Sequence, residues 1–148
     1  MKLLIRAATK NDVEALLPLE KQGFHPSWTE GAILSEIDNN DTIFLVTEDE
    51  AKQIVGFAVL RLIGGEAELF QITTAAKHRR EGIATHLLRR VIGDAKAAGV
   101  TKIFLEVRVS NDAAITMYER FGFTAVGLRR FYYIEPTEDA KVMMAELW

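Results

Sequence analysis

The sequence predicts an α+β fold, a mixed and mostly antiparallel sheet of about seven strands with helices on both faces. Three observations carry the expectation. From Thr42 the segments TIFLVTE, QIVGFAVLRLI and EAELFQITT follow one another with only EDEAK and GG between them, the pattern of an antiparallel meander. Elsewhere strand-like runs alternate with segments of helical period, giving the order strand, helices, three strands, helix, strand, helix, two strands. Finally, 148 residues with 49% hydrophobic and 26% charged side chains match one ordinary globular unit, so residues 1–148 are expected to form a single domain.

Each element has its own signal. LLIRAAT reads as a strand. Asn11 or Asp12 is placed to cap a helix whose buried stripe is Val13, Leu16, Leu17 and Leu19, with Pro18 expected to weaken its later turns. HPSWTE offers a second start, capped by Ser27 or Thr29 ahead of Ile33, Leu34 and Ile37, and DNND ends it. After the meander a long helix is expected from about Gly82, with Ile83, Leu87, Val91, Ala95 and Ala98 on one face and Gly99 closing it. KIFLEVRV reads as a strand covered on both faces. A further helix runs from SND to Arg120 and is closed by Gly122; FTAVGLRRFYYI and KVMMAELW supply the last two strands.

Composition excludes several functions. The formal net charge is −3, so no general basic surface exists for nucleic acid. The N-terminal apolar run is too short for a signal-peptide core and no stretch approaches a bilayer span, which makes a cytoplasmic chain without a membrane partner the expectation. Cysteine is absent, and His25, His78 and His86 have no metal-ligand spacing, so no metal is expected. None of Ser27, Ser35 and Ser110 lies in GxSxG, and neither GxxxxGK[ST] nor GxGxxG occurs.

Two segments can carry chemistry. In KHRREGIATHLL, Gly82 gives an anion access to the free amides of a helix start, beside His78, Arg79 and Arg80. The same residues read equally as a solvated basic loop. In SNDAAITMYERFGF, Asn111 stands at a helix start and Tyr118 two turns on, so both can face one cleft; alternatively they are a cap and a core tyrosine. Within KIFLEVRV, Phe104, Glu106 and Arg108 share one face, and Glu106 is a candidate base or a partner for Arg108. Glu68, beside Leu69 and Phe70 on the preceding strand, is its rival.

Taken together, R-x-x-G-x-A at Arg79, Gly82 and Ala84, followed by N-x-x-A-x-x-x-Y-x-x-x-G-F at Asn111, Ala114, Tyr118, Gly122 and Phe123, resembles the GNAT superfamily of acyl-CoA-dependent N-acetyltransferases. EAELFQI, LEVRVSNDAAITMYERFGF and RRFYY further resemble the RimI-type members, which acetylate the N-terminal amine of a ribosomal protein. The chain departs from that pattern at Gln71, where asparagine is usual, and at Ala75-Ala76, where aspartate-proline is common.

The resemblance implies acetyl-CoA as cosubstrate, its pyrophosphate on the loop and first helical turn at Arg79, Arg80, Glu81, Gly82, Ile83, Ala84 and Thr85. It places the pantetheine arm along Ile72, Thr73 and Thr74, with Asn111 adding a polar contact. It makes Glu106 the base, acting through water, and Tyr118 the acid that faces the sulfur. Acceptor contacts would come from Trp28, Glu68, Phe70, Tyr132 and Tyr133, with Phe131 either a further wall or a sheet aromatic. The expected acceptor is the N-terminus of a protein, and the expected assembly a monomer or weak dimer. A small amine or lysine as acceptor, and an acyl-CoA sensor without turnover, are the alternatives. An α-amine has a reference pKa of about 8 against about 10.4 for lysine, so one carboxylate is an adequate base for it at neutral pH.

Overall fold

Burial is continuous through the middle of β2 (Thr42–Glu48) and β3 (Ile54–Ile63) and alternates along β4 (Glu66–Thr74), and these strands form the expected antiparallel meander in the computed structural model, which describes residues 2–147. With β1 (Leu4–Ala7), β5 (Lys102–Arg108), β6 (Thr124–Tyr133) and β7 (Glu138–Glu146) they form one seven-stranded sheet in the order β1-β2-β3-β4-β5-β7-β6. Every neighbouring pair is antiparallel except β4 and β5. Trp148 of the predicted last strand lies outside the described residues, as does Met1.

Helices cover both faces. On one, α1 (Val13–Gly23) and α2 (Glu30–Asp38) bury Val13, Leu16 and Ile33 against Phe44, Val46, Phe57 and Val59. On the other, α3 (Ile83–Ala97) and α4 (Asp112–Arg120) pack Leu87, Leu88, Val91, Ile115 and Tyr118 over Ala58, Leu60, Leu69 and Leu105. Thr29 is the cap of α2, its Oγ1 accepting from the Ala32 amide at 3.1 Å.

Several expectations need correction. β5 is not covered on both faces: Ile103, Leu105 and Val107 are buried against α3 and α4, while Phe104, Glu106 and Arg108 are only half-buried because no helix lies over them. Ala98 is exposed, since α3 ends at Ala97 and Val100 takes the next core position. Pro18 does not weaken α1; burial of Leu19 and Glu20 beyond it carries the helix to Gly23, and only the bond that the proline nitrogen lacks is lost. Asp12 does not cap α1 with its side chain. Its carboxylate turns back to the Thr9 amide at 2.7 Å and to Arg6 at 2.8 Å.

Two irregularities in β4 break the regular sheet near its centre. Parallel pairing with β5 stops at Leu69 and Leu105, after which the strands are no longer hydrogen-bonded to each other. On the opposite edge Val59 pairs with Gln71 but Leu60 with Leu69, so Phe70 is an extra residue, a β-bulge. The bulge resets the alternation. Ala67 and Leu69 face α3, Phe70 packs toward α1 and Gln71 bonds to it, and Ile72 returns to the α3 side.

Where α3 begins, it crosses β3 at Gly56. A Cβ there would sit 2.9 Å from Ile83 Cγ2 and 3.0 Å from the Thr73 carbonyl oxygen. Gly56→Ala is therefore expected to lower stability by about 1–3 kcal/mol through overpacking. Gly65→Ala, at a position with open space and no left-handed φ, should stay within about 0.5 kcal/mol of wild type in the same thermal-denaturation experiment.

Candidate active site

The separation of β4 from β5 opens a cleft of about 1110 Å³. It runs from the loop before α3, through the gap between the strands, to the β6–β7 hairpin, and its walls include Ile72, Arg80, Glu106, Tyr118 and Tyr133.

One end is made of main chain. A short 3-10 turn, Ala76–His78, ends at Arg79, and the chain then enters α3 through two left-handed residues, Arg80 at φ +67° and Gly82 at φ +81°. The left-handed conformation is unfavourable for arginine and easy for glycine. It turns the peptide planes so that the amides of Arg80, Glu81, Gly82, Ile83, Ala84 and Thr85 meet no acceptor among the described residues. Such a run at a helix N-terminus can hold a phosphate. Arg79, Arg80, Gly82, Ile83, Ala84 and Thr85 line the cleft. Glu81 does not; its carboxylate meets His78 Nδ1 at 3.2 Å, tying the loop to itself. Ile72, Thr73 and Thr74 also line it, on the stretch of β4 whose far edge has lost β5.

The other end is made of side chains. Glu68 and Glu106, on the uncovered face of β4 and β5, look into the same space with Trp28, Phe70, Tyr132 and Tyr133. Burial, and then the nearby Glu106 charge, hold the Glu68 carboxyl above its ordinary value, against the pull of Arg129. Glu106 Oε1 lies 3.2 Å from Arg129 Nε, at the exposed rim. Arg108, the partner considered from sequence, instead donates to the carbonyls of Ile134 (3.0 Å) and Pro136 (2.8 Å) and to Glu138 (3.2 Å), with its guanidinium over the Tyr133 ring. Glu138 in turn accepts from the Ser110 amide at 2.7 Å. Thus Arg108 fixes the hairpin carrying Tyr132 and Tyr133 to the turn that precedes α4.

Both hairpin tyrosines are held neutral. A hydrogen bond to Glu106 pushes Tyr132 up to about 12, and burial does the same for Tyr133. Tyr118, buried on α4 against Phe123, is raised furthest, by desolvation first and then by Tyr133. Asn111 caps α4, its Oδ1 accepting from the Ala114 amide at 3.2 Å, while the residue still lines the cleft. Phe131 is 74% exposed at φ +53° and stands outside the cleft, so it is neither wall nor core.

Sequence reasoning missed Arg129 as the ion partner of Glu106, since β6 supplies it from a distant part of the chain. It also missed Glu20. The signal for that residue was present, a carboxylate beside Leu16 and Leu19 on the buried stripe of α1.

The described residues contain no cluster of groups able to hold a metal ion. Comparison with known proteins accords with this arrangement. The model of the acetyltransferase (GNAT) family matches residues 13–123. The ribosomal protein bS18-alanine N-acetyltransferase of Escherichia coli strain K12 is 31% identical over 137 residues, 93% of this chain and 90% of that protein. Its counterpart in Haemophilus influenzae is 33% identical over 92% of this chain and 93% of its own. The crystal structure of the Escherichia coli ribosomal-protein-S18-alanine N-acetyltransferase superposes with a TM-score of 0.90 at 29% identity, covering 98% of this chain and 94% of that one. Ard1 from Thermoplasma volcanium shares the fold, with a TM-score of 0.91 at 23% identity over 100% of this chain and 99% of that one. The chain belongs to the GNAT acetyltransferase family and is an acetyl-CoA-dependent N-acetyltransferase.

Proposed function

We propose that the enzyme transfers the acetyl group of acetyl-CoA directly to the N-terminal α-amine of a protein, a ribosomal protein being the acceptor class to which its relatives point. The observation that supports this most is the pairing, in one cleft, of a main-chain anion cradle with an acidic slot walled by Trp28, Phe70, Tyr132 and Tyr133. On this reading the enzyme works in the cytoplasm as a monomer or weak dimer, residues 1–148 form one catalytic domain, and neither nucleic acid nor membrane takes part.

The residues then divide the work. The free amides from Arg80 to Thr85 hold the pyrophosphate beside Arg79, whose own amide donates to the Ala76 carbonyl at 3.4 Å. Main chain at Ile72, Thr73 and Thr74 aligns the pantetheine arm, and Asn111, its Oδ1 engaged as a cap, offers its amide nitrogen. Glu106 takes the proton from the incoming ammonium through a water. The free amine attacks the thioester carbonyl, the C–N bond forms, the nitrogen gives its second proton to the water in the cleft, and the C–S bond breaks. Tyr118 gives its proton to the departing sulfur and recovers one from solvent; burial keeps the phenol protonated at neutral pH, as a donor must be. Glu68, Trp28, Phe70, Tyr132 and Tyr133 shape the acceptor slot, and Glu68 adds negative charge that favours a cationic amine.

Glu106→Gln is expected to bind acetyl-CoA as wild type does and to lose about 100-fold or more in rate at neutral pH, with partial recovery at alkaline pH where free amine is abundant. A pH-rate profile identical in shape to wild type would transfer the base role to Glu68. Tyr118→Phe should lower kcat with little change in acetyl-CoA affinity; collapse of affinity with an intact chemical step would make Tyr118 structural.

The carboxylates can also be followed directly. In a carbon-detected NMR titration Glu68 should titrate above its ordinary value, move down in Glu106→Gln and move up in Arg129→Ala, because the first change removes a like charge and the second an opposite one. The acceptor is decided by mass spectrometry after incubation with acetyl-CoA and a panel of N-terminal peptides, lysine peptides and polyamines. Acetylation at peptide α-amines is the expected result, and modification of small amines alone would overturn the protein N-terminus.

A further inference from the structure

Glu20 is the most deeply buried carboxylate among the described residues, at 1% exposure, and neither the cradle nor the acid–base pair uses it. A carboxylate in such a place must be hydrogen-bonded to be tolerated. Its Oε1 accepts the Trp28 main-chain N–H at 2.9 Å and the Gln71 Nε2 at 2.8 Å. It has no ion partner among the described residues.

Each bond reaches a different part of the acceptor end. Trp28 belongs to the connection between α1 and α2, and its ring meets Phe70 edge to face, with centroids 6.3 Å apart. Gln71 follows Phe70 in the β4 bulge and is itself 6% exposed. A carboxylate only accepts, so Gln71 must present its NH₂ to Glu20, which leaves Gln71 Oε1 buried without a partner. The bulge is thus held from both sides of its extra residue, Phe70 by the Trp28 ring and Gln71 by Glu20. Gln22, further along α1, extends the tie to the cofactor side by accepting from the Ala76 amide at 2.9 Å.

We propose that Glu20 and Gln71 are a positioning pair that clamps the Trp28 connection onto the β4 bulge, and that this clamp sets the affinity for the acceptor and not the rate of acetyl transfer. The inference rests on Trp28 and Phe70 forming the acceptor wall, as in the proposed function. What matters in Glu20 is its acceptor oxygen. A glutamine at position 20 keeps that one oxygen, which accepts from both Trp28 and Gln71, and places its NH₂ where the other carboxylate oxygen stands. A leucine fills the same volume and holds nothing.

The test compares wild type, Glu20→Leu and Glu20→Gln by steady-state kinetics, with the peptide that wild type acetylates and with acetyl-CoA varied separately. Amide hydrogen exchange over residues 24–29 is measured alongside. Glu20→Leu should raise the acceptor KM about tenfold, about the net worth of one ordinary hydrogen bond, and leave kcat and the acetyl-CoA KM within about twofold. Exchange over residues 24–29 should quicken. Glu20→Gln should resemble wild type in both measurements.

An unchanged acceptor KM in Glu20→Leu overturns the proposal, as does an equal loss in kcat or in acetyl-CoA KM, which would mark a general structural role. A Glu20→Gln variant as impaired as Glu20→Leu also overturns it, because charge and not the hold on Trp28 would then be responsible. If wild type acetylates small amines only, the protein N-terminus reading fails, and the pair is judged by the same KM split with the amine that is used.

Discussion

The end of hydrogen bonding between β4 and β5 after Leu69 and Leu105 is the constraint on which the functional geometry depends. Two parallel strands that stayed paired would fill the space the cleft occupies and satisfy the edge of β4 that runs past Ile72 to Thr74. Once they part, each strand presents something different. β4 offers an unpaired edge leading into the loop before α3, while β5 offers the side chains of its uncovered face. The bulge at Phe70 lies next to the point of separation and adds local twist there, which helps β4 turn away from its neighbour.

The two ends of the cleft obey different physics. Near α3, peptide amides and the macrodipole do the work, and the requirements on side chains are steric: a glycine at 82 that accepts a left-handed φ, and a glycine at 56 that lets Ile83 and Thr73 approach β3. Near the hairpin the environment is set by charge and burial. Glu106 raises the cost of ionising Glu68 and the tyrosines around it, and Arg129 moderates that field from the rim.

The sequence was most informative where a repeating pattern met strong punctuation. The meander was legible because β2, β3 and β4 are strand-like apolar runs joined by short turns, and the long helix because Ile83, Leu87 and Val91 keep period ahead of a closing glycine. The expectation overran its end by one residue, since Ala98 carries the right residue type but is the exposed C-cap, and Gly99 follows in the left-handed conformation that closes the helix. KIFLEVRV looked covered on both faces because composition does not reveal that the helices leave half of β5 bare. The cradle and the Asn111–Tyr118 helix were legible as spaced motifs. Arg129 against Glu106, the Phe70 bulge and the bonds of Glu20 were not, since they depend on strand register and on contacts between distant segments, which no local pattern encodes.

The anchoring of the hairpin has a consequence for solution conditions. Arg108 holds it through two carbonyl oxygens and one carboxylate, and that carboxylate, Glu138, also receives the Ser110 amide just before α4. The Ser110 bond and Arg108 keep Glu138 below its usual value, so the anchor stays ionised throughout the neutral range and is indifferent to pH there. Ionic strength acts on it differently. Screening weakens the Arg108–Glu138 attraction to the extent that this half-buried pair meets solvent, and scarcely touches the bonds to neutral carbonyls. Salt therefore loosens the connection between the acceptor wall and the start of α4 while leaving the hairpin seated on β5.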